Sequence, residues 1–153
     1  MNRIQTLITG ATAVAVLTAG GVFAAPASAQ AASWTAYCQQ HVNDGAPYAA
    51  VADQTTWCRV QAGPAAIGDG QTKYTGTVDG VMGSNSWKGL QAYLKKNHGY
   101  GGPIDGVPGT QTYAAMQRFA AQNNLYTGPI DGDMGANSWR GFNQNLRILF
   151  FSN

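Results

Sequence analysis

Val78-Asp79-Gly80-Val81-Met82-Gly83-Ser84-Asn85-Ser86-Trp87-Lys88-Gly89-Leu90-Gln91-Ala92-Tyr93-Leu94 is the stretch that decides the fold, because it joins a glycine-rich turn to a helical stripe. Asp79 stands directly before Gly80. There a carboxylate can accept a hydrogen bond from the backbone two residues on, while glycine adopts a turn angle that other residues resist. Gly83 is a permissive helix start. Beyond it Trp87, Leu90, Gln91 and Leu94 fall at i, i+3, i+4 and i+7, one largely apolar face of a helix.

The same unit returns twice at a spacing of 26 residues. Tyr74, Gly76, Asp79, Gly80 and Gly83 reappear as Tyr100, Gly102, Asp105, Gly106 and Gly109, then as Tyr126, Gly128, Asp131, Gly132 and Gly135. Ser86 and the stripe that follows it become Thr112, Tyr113, Met116, Gln117 and Ala120, then Ser138, Trp139, Phe142, Asn143 and Leu146. A fixed period of this kind marks a supersecondary unit that cannot bury its apolar side alone. The spacing predicts helices over 84–96, 110–122 and 136–149, stopped by Asn97, His98 and Gly99 and by Asn123 and Asn124. Helices of this length are marginal in isolation and need mutual packing. Pro103 and Pro129 suit an extended lead-in to each turn, since proline disfavours helix in the residue before it. The expected fold class is all-α, a compact bundle of short helices built from three turn-plus-helix repeats over residues 71–153.

Residues 30–70 read as a small N-terminal cap on that bundle. Cys38 and Cys58 are the only cysteines, and both lie here. In an oxidising compartment one disulfide is the simplest use of them, stapling a helix at 33–42 to one near Cys58. A metal pair completed by His41, or a catalytic thiol, would each lack a further ligand or base at a recognisable spacing. Thr56, Trp57 and Gln61 are spaced like Ser86, Trp87 and Gln91, so residues 50–62 are either a decayed fourth helix or a chance likeness. Ala62 to Thr77 reads as a connecting loop.

Before the cap, Arg3, the uncharged apolar run from Leu7 to Ala25, and Ala27-Ser28-Ala29 have the form of a signal peptide over residues 1–29. Its glycines and threonines make a poor packed core helix, and no basic stop-transfer flank follows it, against a retained membrane anchor. A secreted chain, extracellular or wall-associated, with no membrane contact after processing is therefore expected. Beyond that segment eight basic residues face seven acids, all of them Asp. So even a balance provides no electrostatic reason to expect nucleic-acid binding.

Catalysis has little to draw on. Glycan hydrolysis normally uses a glutamic acid of raised pKa, and the chain contains no glutamate. A zinc hydrolase needs three protein ligands and a base, more than His41 and His98 supply; both histidines read as exposed polar residues near helix ends. Only Asp131 and Asp133 hint at calcium, which takes clustered oxygen ligands. No catalytic residue, metal or cofactor is therefore expected. Asp79, Gly80, Asp105, Gly106, Asp131 and Gly132 are read as structural turn residues, and Trp87, Tyr113 and Trp139 as core. Tyr74, Tyr100 and Tyr126 lie beside glycines in the lead-ins. Each ring either plugs the gap between helices or lines a surface cleft where it can stack on a sugar face.

The motif Val78-Asp79-Gly80-x-x-Gly83-x-x-Ser86, with its copies at Ile104 to Thr112 and Ile130 to Ser138, resembles the peptidoglycan-binding-like domain found attached to bacterial cell-wall hydrolases. The likeness covers residues 74–148. It is nearest in the middle copy, with Thr112, Ala115, Met116 and Phe119. The family's Phe-Gln pair stands here as Tyr93-Leu94, Phe119-Ala120 and Asn145-Leu146. The resemblance implies a non-catalytic cell-wall protein that binds peptidoglycan, glycan or stem peptide, in a shallow groove between turns and helix starts with Tyr74, Tyr100 and Tyr126 at the ligand. The alternative is a secreted structural or protein-interaction module, such as an accessory factor or inhibitor of a wall enzyme.

Overall fold

The computed structural model describes residues 33–43 and 49–151. The expected signal peptide lies outside the described residues. Among those residues the fold is all-α: α1 Ala36–His41, α2 Gln54–Ala62, α3 Pro64–Ile67, α4 Ser84–Asn97, α5 Thr110–Ala120 and α6 Ala136–Phe150, with a 3-10 turn at Gln122–Asn124. The one extended pairing is an isolated bridge between Trp34 and Val78.

Local chemistry sets the helix ends. Asp53 caps α2, its Oδ1 accepting from the Thr56 amide at 2.7 Å, which satisfies one of the amides a helix start leaves without an internal partner. After α4, Gly99 takes φ +62°, and after α5, Asn123 and Asn124 take φ +57° and +59°; this left-handed geometry ends a helix, and Gly and Asn tolerate it best. Within the stretch read as a loop, Pro64 opens α3, where proline's missing N–H and fixed φ suit the first helical position.

One core joins the helices. Val60, Ala65, Leu90, Leu94, Met116, Phe119, Phe142 and Leu146 are buried in a single cluster. At the helix starts Trp57 meets Trp87 edge-on at 5.4 Å and Trp139 at 5.7 Å, and Trp87 meets Tyr113 at 6.3 Å. Such edge-to-face contacts are favoured by the ring quadrupoles. Cys38 and Cys58 form a disulfide, fully buried against Val78, which fastens α1 to α2.

The polar stripe residues do the joining between helix and turn. Gln61, Gln91 and Gln117 are fully buried. Gln91 Oε1 accepts from the Gly106 amide at 2.8 Å, while its Nε2 donates to Asp105 Oδ1 and to the Val107 carbonyl, both at 3.1 Å. Gln117 does the same for Gly132, Asp131 and the Asp133 carbonyl, each at 2.8 Å. Gln61 does it for Gly80 at 2.8 Å and for Asp79 and the Val81 carbonyl at 2.9 Å. Asn143 of α6 donates to the carbonyls of Ala49 and Val51 and accepts from the Thr56 hydroxyl, which ties the last helix to the start of α2. Replacing Gln91 by Leu strands the buried Gly106 amide. A loss of about 1–3 kcal/mol is expected, because an unsatisfied buried polar group costs that much, and denaturant unfolding measures it.

His98, read as an exposed residue, is instead 7% exposed. The cause is tertiary: the end of α4 tucks its ring between Phe119 at 5.1 Å and Tyr93 at 5.4 Å, and Nε2 has no hydrogen-bond partner. Desolvation there lowers the histidine pKa from its ordinary value. Such a group favours the fold fully above its unfolded pKa, about 6.5, and that contribution is lost as pH falls through the lower folded value. Unfolding free energy is therefore expected to drop as pH goes from about 7 towards 5. His98→Phe should flatten that interval; an unchanged slope would show that His98 is not its source.

Candidate functional site

The three turn aspartates are occupied locally. Asp79, Asp105 and Asp131 each accept, through Oδ1, the amide of the residue two positions on, at 2.8, 2.9 and 2.9 Å. For Asp105 the Val107 amide and then Gln91 hold the carboxyl below its usual pKa; for Asp131 Gln117 leads and the Asp133 amide follows. Gly80, Gly106 and Gly132 take φ of +76°, +80° and +80°. A Cβ on Gly106 would lie 2.5 Å from the Ser84 carbonyl oxygen, so glycine also permits the turn to close on the preceding helix. Among the described residues no group of three or more His, Cys, Asp or Glu could hold a metal.

The three tyrosines share one geometry and differ in burial. Each hydroxyl donates to a carbonyl three residues on, Tyr74 to Thr77 at 2.5 Å, Tyr100 to Pro103 at 2.7 Å and Tyr126 to Pro129 at 2.8 Å. Each ring folds over the glycine two residues later, within 2.8 Å of where a Cβ on Gly76, Gly102 or Gly128 would stand. Tyr100 is only 5% exposed and also receives Gln91 Nε2 at 3.3 Å. Tyr74 and Tyr126 are half-buried and edge open clefts. Burial first, and then the charges of Asp131 and Asp133, raise the Tyr126 pKa, which keeps that hydroxyl a donor.

Those two clefts correspond at most of their lining positions. One, of about 230 Å³, is lined by Thr72, Lys73, Tyr74, Thr75, Gly76, Asn85 and Lys88. The other, of about 280 Å³, is lined by Leu125, Tyr126, Thr127, Gly128, Asn137, Arg140 and Gln144. Tyr, Thr, Gly, Asn and a cation recur 52 residues apart. Gly89 and Gly141 form the close crossing behind them. A Cβ at Gly89 would lie 2.6 Å from the Ala65 carbonyl oxygen and 2.9 Å from the Tyr74 amide nitrogen, and one at Gly141 would lie 2.8 Å from the Leu125 oxygen. The segment between them has Gly101, Gln111, Ala114 and Ala115 at 26 residues from Thr75, Asn85, Lys88 and Gly89. Tyr100, Gly102 and Gln111 line a cleft there too, but it opens towards the turn, on Pro103, Asp105 and Val107.

Sequence reasoning singled out the tyrosines and passed over Asn85, Lys88, Asn137 and Arg140. The signal available was that an Asn and a cation three residues apart stand at 85 and 88 and again at 137 and 140, with Gln111 and Ala114 between them in the chain. It also passed over the glutamine clasps, treating Gln91 and Gln117 as members of an apolar stripe.

The described residues thus form a small helical module with shallow polar clefts. Residues 83–140 match the model of a family described as a putative peptidoglycan binding domain. No curated protein and no solved structure matches the chain. The matched segment contains Asn85, Lys88, Asn137 and Arg140 but neither α1–α3 nor Tyr74.

If the glycine crossing sets the cleft, Gly141→Ala must push Leu125 and Tyr126 outward. The expected cost is about 1–3 kcal/mol, as for other overpacked sites, with displaced Tyr126 ring resonances in NMR spectra. Gly101→Ala, where no atom lies within 4 Å of the added Cβ, should leave both unchanged.

Proposed function

We propose that this protein is a secreted, non-catalytic binder of cell-wall peptidoglycan, and that the wall polymer lies in the clefts at Tyr74 and Tyr126. The observation that carries the reading is the pair of corresponding clefts, whose helix-borne residues fall inside the segment similar to a peptidoglycan-binding family. Each cleft offers a half-buried ring edge, a hydroxyl, a side-chain amide and a cation, a set suited to an amphipathic, hydrogen-bonding ligand. Tyr74 and Tyr126 act as ligand-facing edges in this reading, and Tyr100 as a strut beneath the middle turn.

The array is read as three 26-residue turn-plus-helix copies over residues 71–153, preceded by a cap over residues 30–70 whose α2 serves as a divergent fourth unit. The Gln61 clasp on the Asp79 turn, alike in its bonds to those of Gln91 and Gln117, supports that view. No helix among the described residues is long and apolar enough to cross a membrane. A second reading, a protein-interaction module such as a partner of a wall enzyme, is favoured by Val81 and Val107. These stand 66% and 67% exposed on successive turns.

Co-sedimentation with purified insoluble peptidoglycan tests the proposal. Saturable pelleting above an inert protein of similar charge is expected, weakened several-fold in a folded Tyr126→Ala variant. Failure of the unaltered protein to pellet overturns wall binding and leaves the protein-interaction reading.

A further inference from the structure

Both clefts place a cation beside a side-chain amide, and their lining holds no carboxylate. In the cleft beside α6, Arg140 Nη1 donates to Asn137 Oδ1 at 3.1 Å, so the amide oxygen is occupied and the Asn137 NH2 and the remaining guanidinium N–H groups are what the pair presents. Asn85 and Lys88 stand at the same separation on α4, with Lys73 across the cleft. No acidic side chain lines either cleft. The nearby carboxylates of Asp105, which feels the charge of Lys88, and of Asp131, which with Asp133 acts on Tyr126, are held by their own turn amides and by Gln91 and Gln117. The tyrosine hydroxyls are committed to backbone carbonyls, and each ring covers a glycine. Planar donor sets beside a cation match a carboxylate, which only accepts.

The middle copy departs at each of these points. Ala114 replaces the cation, and Ala115, fully buried, replaces the crossing glycine. The basic residues near its lead-in are spent on backbone carbonyls: Arg118 on those of His98 and Gly99 at 3.4 and 3.2 Å, and Lys95 on that of Gly102 at 3.5 Å.

We infer that the protein holds its ligand at two stations, one at Asn85 and Lys88 and one at Asn137 and Arg140, that each station takes a free carboxylate of a peptidoglycan stem peptide, and that the middle copy is a spacer. This rests on the wall-binding reading and specifies its chemistry. Two stations on one rigid body strengthen attachment to a polymer that repeats the same group, because the second contact forms at high effective concentration.

The probe is a soluble disaccharide-peptide fragment of peptidoglycan, used with its carboxylates free and again after conversion to methylamides. Titration calorimetry should find two sites for the free form and none for the methylamide. Lys88→Gln and Arg140→Gln, at half-buried and exposed positions that leave the core intact, should each reduce the stoichiometry to one. On insoluble peptidoglycan each single change should weaken binding at least about tenfold, since bivalent gains exceed that. In NMR spectra the side-chain amides of Asn85 and Asn137 should shift on titration, and that of Gln111 should not. Equal binding of the methylamide, a stoichiometry of one or three, or full binding by the folded double variant would overturn the inference. Wall pelleting that survives carboxylate blocking sinks this inference alone, whereas no pelleting of the unaltered protein on native wall sinks the wall-binding reading with it.

Discussion

The fold depends on a glutamine amide buried in each of α2, α4 and α5. A glutamine side chain carries two donors and an acceptor, and an Asp-Gly turn has a complementary set: the glycine N–H, the aspartate oxygen and the carbonyl of the next residue. Gln61, Gln91 and Gln117 meet those groups within 2.8–3.1 Å while fully buried. Because a buried amide left unpaired is costly, each helix has one place relative to the turn that follows it. Apolar packing alone is less exacting and would tolerate small slips.

Asn143 extends that logic round the molecule. One methylene shorter than glutamine, it reaches the Ala49 and Val51 carbonyls and the Thr56 hydroxyl rather than a later turn. The final helix is thereby fastened to α2, and Trp139 comes against Trp57 as Trp87 does. The N-terminal region is thus part of the main core through Val60 and Ala65, while the Cys38–Cys58 bridge holds α1 to it.

With the turns pinned from inside, the outer surface is free to differ from one turn-helix segment to the next. The buried positions Gln91 and Gln117 agree, whereas Lys88, Ala114 and Arg140 on the outer face do not. The clefts exist where Gly89 and Gly141 let a helix approach the lead-in chain, and they are absent in that form where Ala115 fills the same position with a core methyl. The residues that pin the turns and those that line the clefts are therefore different, and one framework can carry different surfaces.

The amino-acid sequence by itself determined the all-α class, the Asp-Gly turns and the ends of α4, α5 and α6 to within two residues, but not α3. What it determined follows from contacts within a few residues: Asp before Gly, an apolar face at helical spacing, Asn or Gly after the last turn. It also made the disulfide the simplest use of the only two cysteines. Only the tertiary structure decided what those patterns do at a distance. Burial of His98 needs Phe119 from another helix, and the role of Gln91 needs a turn 14 residues later. Closure through Asn143 joins groups 92 and 94 residues apart. The tyrosines were visible as candidates, but the burial of Tyr100 beside half-buried Tyr74 and Tyr126 came from neighbours contributed by other segments. Periodicity reports which face of a helix is apolar; it carries no information on which partner covers that face, and that partner is what makes a polar residue a clasp or a site.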